Sequence, residues 1–295
     1  MIIVDYSQTA ISNFMAEIGG RTDIEVNVPL LRHMIINSIR GYKKKFGAEY
    51  GELIIACDNQ KYWRKECFQF YKAGRKKARE DSGLDWKTIF EALNQIKAEL
   101  HLFFPYKVID VEGAEADDVI ATLSEWTQNN ELNSGGMLFD EPQPVLIISG
   151  DHDFYQLQKY NNVKQFSPVL KKYIKSDESP ERYIFEHILR GDKGDGVPNV
   201  FSADDSIVNG IKQKPIQTKK VEIWYRTPEE MPQDEIFKRN YDRNKMLIDL
   251  GCIPKEVKNR IINSYTGQPQ KDKGKLLDFF VQNKMKNMLE LIEEF

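Results

Sequence analysis

The sequence predicts an α/β protein, with a central, mostly parallel sheet flanked by helices and a helical C-terminal domain after it. Three observations carry that expectation. Short apolar runs at residues 1–4, 53–57, 106–111 and 145–148 are separated by long segments with helical spacing of apolar residues. That is the pattern of strands covered on both faces of a parallel sheet. Each run leads into acid: Asp5, Asp58, the group Glu115-Ala116-Asp117-Asp118, and Asp151-His152-Asp153. From residues 176–180 onward the strand pattern stops and helical periodicity takes over.

The elements follow in order. After the first strand, Ser7 is the expected helix cap. Asn27 caps a second helix, with Pro29 in its first turn and a helical pattern to Phe46. In 85–102, Trp86, Ile89, Phe90, Leu93, Ile96 and Leu100 fall on one face. This helix connects the second and third strands, as a right-handed crossover requires. Residues 114–128 form another helix, with Val119, Ile120, Leu123 and Trp126 inward. Residues 128–144, rich in Asn, Gly, Ser and Pro, read as an exposed loop. One or two edge strands are expected within 163–173. The chain thus divides into a core, 1–180, and a helical domain, 181–295, with helical patterns at 184–189, 234–250, 254–265 and 275–295. Between the first two lies a Gly-rich turn, 191–198, holding Asp192 and Asp195.

Bulk properties narrow the class. A chain of 295 residues can bury a substantial core, and one large plus one smaller domain is expected. The net charge of −3 is an average that an acidic site and a basic surface can produce together. Cys57, Cys67 and Cys252 form no CxxC pair, which fits a reducing cytoplasm. Met1 leads directly into a strand, so no signal peptide is expected, and no apolar run reaches the ~20 residues that span a bilayer. The reading is a cytoplasmic protein with no membrane partner.

The acids are the chemically informative feature. Ligands gather at the carboxyl ends of parallel strands, so seven carboxylates would meet there: Asp5, Asp58, Glu115, Asp117, Asp118, Asp151 and Asp153. A lone Asp at a strand end is usually a cap or a turn residue. Together, however, like charges at ~4 Å repel by about 4 kcal/mol at an effective dielectric of ~20, and divalent cations are the natural compensation. Of the four His, only His152 lies near these clusters. The others read as surface or packing groups. Carboxylates without imidazole or thiolate favour Mg²⁺ or Mn²⁺ over Zn²⁺. The number of acids exceeds the needs of one ion, and a two-ion site suits in-line displacement at phosphorus.

Just after Asp58 comes a basic segment. Residues 61–79 carry eight Lys or Arg, one acid (Glu66), and interleaved Tyr62, Trp63, Phe68, Phe70 and Tyr71. Phosphate neutralisation with aromatic stacking is a recipe for gripping single-stranded nucleic acid. The plainer account is a helix whose aromatics pack down and whose lysines are solvated.

Taken together these residues resemble the flap endonuclease or 5′-nuclease family, in particular its bacteriophage ribonuclease H group. The resemblance rests on Ile3-Val4-Asp5-Tyr6-Ser7-Gln8, Glu115-Ala116-Asp117-Asp118, Gly150-Asp151-His152-Asp153-Phe154 and Gly191-Asp192-Lys193-Gly194-Asp195. It implies a PIN-like nuclease core with a basic arch at about 61–84, and a helix–three-turn–helix-like region in the C-terminal domain. It implies a Mg²⁺-dependent 5′→3′ exonuclease and flap endonuclease that removes RNA primers and 5′ flaps during lagging-strand replication, with Mn²⁺ able to substitute. Asp5, Asp58, Glu115, Asp117, Asp118, Asp151, Asp153 and Asp195 would be the metal acids, with Asp192 auxiliary. One ion would lie nearer the first three clusters and the other nearer the fourth cluster and the Gly-rich turn. Lys72 and Arg64 match arch positions that face the scissile phosphate. DNA and RNA–DNA duplexes with 5′ ends or flaps are the implied partners, with a single-strand binding protein and a sliding clamp as further candidates. A monomer is expected, in the host cytoplasm if phage-encoded.

Two departures stand out. Gly196-Val197-Pro198 replaces the family's small-residue sequence after the turn, and Asp204 and Asp205 would oppose a phosphate there. No potassium site is therefore expected. Leu276-Leu277-Asp278-Phe279-Phe280 only suggests a clamp-binding tail and reads better as a core helix. A PIN-like single-strand ribonuclease is the rival function. An aspartyl phosphatase is excluded, because Asp5-Tyr6-Ser7 lacks the required Asp-x-Asp.

Overall fold

The computed structural model describes residues 1–22, 25–129, 142–269, 271 and 273–295. The core strands are β1 (Ile2–Asp5), β2 (Leu53–Ala56), β3 (Lys107–Ile109), β4 (Val145–Ile148), β5 (Val163–Ser167) and β6 (Lys172–Ile174). They form one six-stranded sheet in the order β3-β2-β1-β4-β5-β6. Every pair is parallel except β5 with β6. β1, β2 and β4 are buried along their whole length, which is why they read as continuous apolar runs rather than alternating ones.

Helices cover both faces. On one, Ile2, Val4, Ile55, Leu146 and Ile148 pack against α1 (Tyr6–Ile18), α2 (Val28–Tyr50) and α5 (Trp86–Phe103). On the other, Ile3, Ile54, Val145 and Ile147 pack against α6 (Ala116–Gln128). The alternation along each strand sends successive side chains to opposite layers. Asn27 caps α2 as expected, accepting from the N–H of Leu30, and Asp85 caps α5 by accepting from the N–H of Thr88. α2 runs past Phe46 to Tyr50. The cap of α1 is Asp5 rather than Ser7: its Oδ1 accepts from Gln8 N at 3.0 Å, and Ser7 lies inside the first turn. α6 begins at Ala116, two residues later than expected, because Glu115 is its cap residue. The expected loop at 128–144 falls mostly outside the described residues.

The basic segment forms α3 (Trp63–Cys67) and α4 (Gly74–Asp81). Beyond β6 come α7 (Pro180–Arg190), α8 (Thr218–Arg226), α9 (Glu235–Ile248), α10 (Lys255–Gly267), α11 (Gly274–Gln282) and α12 (Lys286–Leu289). α8 was not expected. The last pattern, 275–295, breaks after Gln282, where Lys284 has φ +55°.

Apolar contacts cross position 180. Val257, Ile261 and Tyr265 of α10 join the layer under α6. Leu276, Phe279, Phe280, Met288 and Phe295 join the layer of α2 and α5. Phe279 and Phe280 are 2% and 0% exposed, so this segment is a core helix, not a free tail. Val200, Ile216, Val221, Trp224 and Phe237 form a separate small cluster with Leu189. Among the described residues no helix is long and apolar enough to cross a membrane.

Candidate metal centre

The strand order reverses between β1 and β4, and the acids that follow those two strands flank the resulting crevice. Ligands collect at such a switch point because neighbouring connections leave on opposite faces. Asp5 is almost fully buried here. Its second oxygen accepts from Ser149 Oγ at 3.1 Å. Burial, with Asp58 and Asp151 nearby, pushes its carboxyl up to about 7.

The carboxylates around the start of α6 are tied down. Asp58 accepts from Ser7 Oγ at 2.6 Å and from Ala116 N at 2.9 Å. Glu115 is 1% exposed. It accepts from Arg64 Nη1 at 2.9 Å and from the Tyr71 hydroxyl at 3.1 Å, and its other oxygen pairs with Lys72 Nζ. Asp118 is turned into the protein rather than toward the other acids. It completes a capping box on the Glu115 N–H at 2.9 Å, accepts from Trp63 Nε1 at 3.2 Å, and lies 2.8 Å from Arg64 Nη1. Asp117 shares a recess with Tyr71, Asp153, Asp192 and Asp195. Burial pushes its carboxyl well up; Lys72 opposes the shift, while Asp151, Glu115 and Asp58 add to it.

The Arg64 guanidinium is 2% exposed, donates to the Leu247 carbonyl at 2.9 Å, and is spent on Glu115 and Asp118. It lines the acid recess from within, already paired, rather than standing free at the rim. Lys72 sits at the rim, with its Nζ on Glu115 and 3.7 Å from Asp195. Burial lowers its affinity for the proton, but Asp195 and Glu115 outweigh that and hold the ammonium charged.

The remaining acids meet around the Gly-rich turn. Asp151 caps the 3-10 helix His152–Lys159 by accepting from Asp153 N at 3.0 Å. Burial and Asp151 raise the Asp153 carboxyl to about 7. Asp195 accepts from the Tyr71 hydroxyl at 2.8 Å and pairs with Arg75. Its backbone carbonyl accepts from Lys72 N at 2.7 Å. Gly196 makes this close approach possible: at φ +75°, a Cβ there would stand 2.7 Å from the Phe70 carbonyl oxygen.

His187 is the residue the sequence reading missed. From the last turn of α7 it places Nδ1 3.4 Å from Asp153 and Nε2 3.4 Å from Asp192. Burial opposes the charged imidazole, yet Asp192 and Asp153 raise its proton affinity overall. Burial likewise opposes ionisation of Asp192, but His187 and the N–H groups of Asp195 and Gly194 pull its carboxyl below the usual range. His187 lies three residues before the end of α7 at Arg190, and Asp192 follows two residues after that end. Tyr71, expected only as a stacking ring, was missed as a carboxylate partner.

A groove of about 890 Å³ opens beside the acids, lined by Asp58, Lys61, Lys65, Lys72, Arg75 and Arg79 among others. Three of the five aromatics of the basic segment are packed inward, while Tyr62 lines the groove. Trp63, Phe68 and Tyr71 are 6%, 6% and 3% exposed. Phe68 and Tyr71 pack with Ile188, Val197, Leu247 and Ile248, so the rings anchor the segment and its cations face the groove. Asp204 also differs from expectation. It pairs with Arg239 and Arg243, so it does not present an unbalanced charge to a phosphate. Arg243 in turn donates to the Pro198 carbonyl at 2.9 Å and braces the Gly-rich turn.

Comparisons with known proteins agree with this geometry. Residues 1–184 match the 5′-3′ exonuclease N-terminal resolvase-like domain, and residues 178–295 match the C-terminal domain of T4 RNase H. The chain is 33% identical over 302 residues to the ribonuclease H of Enterobacteria phage T4, covering 99% of this chain and 95% of that one. It is 30% identical over 146 residues to the flap endonuclease Xni of Shewanella piezotolerans, covering 47% of this chain and 49% of that one. Among solved structures it is similar to a bacteriophage T5 flap endonuclease in a pseudo-enzyme-product complex with DNA and metal ions. The TM-score is 0.64 at 17% identity, covering 90% of this chain and 97% of that chain. A T5 5′-exonuclease with bound zinc matches with TM-score 0.59 at 17% identity, covering 90% and 98%. Half-buried carboxylates converging on a parallel-sheet switch point and sequence matches along the whole chain lead to one conclusion: the chain belongs to the 5′-3′ exonuclease and flap endonuclease family, and is a metal-dependent phosphodiesterase.

Proposed function

We propose that this chain is a Mg²⁺-dependent 5′→3′ exonuclease and flap endonuclease that removes RNA primers and 5′ flaps during lagging-strand synthesis in a host cytoplasm. The observation that carries the reading is the convergence of Asp5, Asp58, Asp117, Asp151 and Asp153 beside a groove lined with lysine and arginine. The donor set fits hard cations. It is built from carboxylate oxygens, and burial, reinforced by neighbouring carboxylates, makes Asp5, Asp117 and Asp153 hold protons more tightly than ordinary carboxyls. Two ions suit the number of acids, with Mn²⁺ able to replace Mg²⁺. Asp5, Asp58, Glu115 and Asp117 would hold one. Asp151, Asp153 and Asp195 would hold the other, with Asp192 auxiliary. Asp118 acts through Arg64 and the capping box.

When bound, such ions lower the pKa of water and stabilise charge on a leaving oxygen. This chain's own residues bring the phosphate to that place. Lys61, Lys65, Lys72, Arg75, Lys76 and Arg79 line the groove and attract a polyanion that the acids alone would repel. Lys72, at the rim between Glu115 and Asp195, is the donor that would reach a non-bridging phosphate oxygen. Residues 1–180, with the arch at 61–84, would carry the chemistry, and 181–295 would hold duplex. A monomer contacting a single-strand binding protein suits this role. Burial of Phe279 and Phe280 argues that any sliding-clamp contact uses another segment. The test is cleavage of end-labelled flap DNA, nicked duplex and RNA–DNA hybrid, with Mg²⁺ and with EDTA. Stepwise release from the 5′ end and flap removal, both abolished by EDTA, are expected. Cleavage of single-stranded RNA alone would contradict the proposal.

A further inference from the structure

We propose that His187 donates an imidazole nitrogen to the second cation position, as a ligand beside Asp153, with Asp192 orienting the ring from its far side. The inference deepens the metal-centre reading above and rests on it. The donor set expected from sequence was all oxygen. The fold adds a nitrogen that no strand-end motif announces.

Geometry carries the assignment. One donor atom from each of Asp153, His187 and Asp192 lies within 4.8 Å of the other two. A six-coordinate ion with bonds of about 2.1 Å keeps neighbouring donors about 3 Å apart. The 3.4 Å from Nδ1 to Asp153 is therefore within a few tenths of an ångström of such a shell. Nδ1 is closed off from solvent and has no hydrogen-bond partner, which is costly for a nitrogen with nothing to bind. Nε2 faces Asp192 at 3.4 Å. A ligating histidine commonly gives its other N–H to a carboxylate, and that contact fixes the ring and strengthens the ligand. The ring is also braced, with the Tyr183 ring edge-on at 5.5 Å. The neighbouring Ile188 carbonyl accepts from buried Asn244 at 2.8 Å.

Imidazole shifts metal preference. Mg²⁺ takes oxygen almost exclusively, whereas Mn²⁺ accepts a nitrogen readily. The two positions should then differ: an all-oxygen position near Asp5, Asp58 and Asp117, and a mixed position near Asp153 that favours Mn²⁺.

The test is Mn²⁺ binding to the full chain, read by calorimetry and by electron spin-echo spectroscopy. The expected result is nitrogen modulation from a directly bound imidazole in the wild type. It should change on ¹⁵N-histidine labelling and vanish in His187→Gln. Mn²⁺ affinity at one position should fall about 10-fold or more in that variant, with Mg²⁺ affinity nearly unchanged. The spectroscopy on the wild type stands even if the variant folds poorly. Mn²⁺ bound at both positions without nitrogen modulation would overturn the role of His187 and leave the metal centre intact. Absence of any Mn²⁺ uptake by the wild type would overturn both.

Discussion

The acids at the start of α6 and the acids around the Gly-rich turn meet the same electrostatic problem with different means. Glu115 and Asp118 are neutralised from within by Arg64 and Lys72, and Glu115 also accepts from the Tyr71 hydroxyl. Asp151 and Asp153 have no lysine or arginine on them among the described residues; their nearest cationic group is His187, on Asp153. The first set is paired before any ion arrives. In the second, burial and Asp151 keep the proton on Asp153 up to about pH 7. A fixed frame beside an unsatisfied one suits a site that must take up cations and then a polyanion.

The largest effect is expected where the two sets meet. Asp117 is crowded by Glu115, Asp58 and Asp151. Asp117→Asn should fold and lose about 10³-fold or more of Mg²⁺-supported flap cleavage in single turnover, a loss of the size seen for key electrostatic groups. Arg64→Ala breaks the frame instead. It leaves Asp118 buried without a cation and Glu115 with Lys72 alone, a change that costs about 3–5 kcal/mol. Urea unfolding of the metal-free protein checks it; an unchanged midpoint would show that the frame is not held this way. Lys72→Ala should slow the chemical step about 10–100-fold with little change in KM, since it loses one partly solvated donor.

The smallest effect is a pH dependence. Asp5 and Asp153 have folded pKa values of about 7 against an ordinary 3.8. The folded state therefore binds protons more tightly than the unfolded chain. The stability this lends is full below about pH 4 and is lost as pH rises through about 7. Without cations, the melting temperature should fall between pH 5 and 8, by about 2–4 °C for each kcal/mol lost. Asp153→Asn should flatten that fall, and Mg²⁺ should abolish it.

Much of this was legible in the sequence, and the exceptions have physical causes. Apolar runs ending in acid announce strands because parallel strands are buried on both faces. Helical spacing announced α5 and α6 for the same reason. The depth of Arg64 was not legible because a basic residue in a basic segment looks solvent-facing; its segment is anchored by Phe68 and Tyr71 against Leu247 and Ile248 of α9. The capping role of Asp118 was not legible because a capping box and a metal acid use the same carboxylate at a helix start. His187 escaped notice because its partners come from the 3-10 helix after β4 and from the Gly-rich turn, and only folding brings them together. α8 was missed because Lys219 and Lys220 sit within a basic stretch whose apolar face, Val221 and Trp224, is short.

The central claim is that these acids tolerate one another by holding two divalent cations. Anomalous diffraction from crystals soaked in Mn²⁺ tests it most directly. Two peaks are expected, one among Asp5, Asp58 and Asp117, the other among Asp151, Asp153 and Asp192. Crystals that take up Mn²⁺ only at surface carboxylates away from these residues would contradict the account.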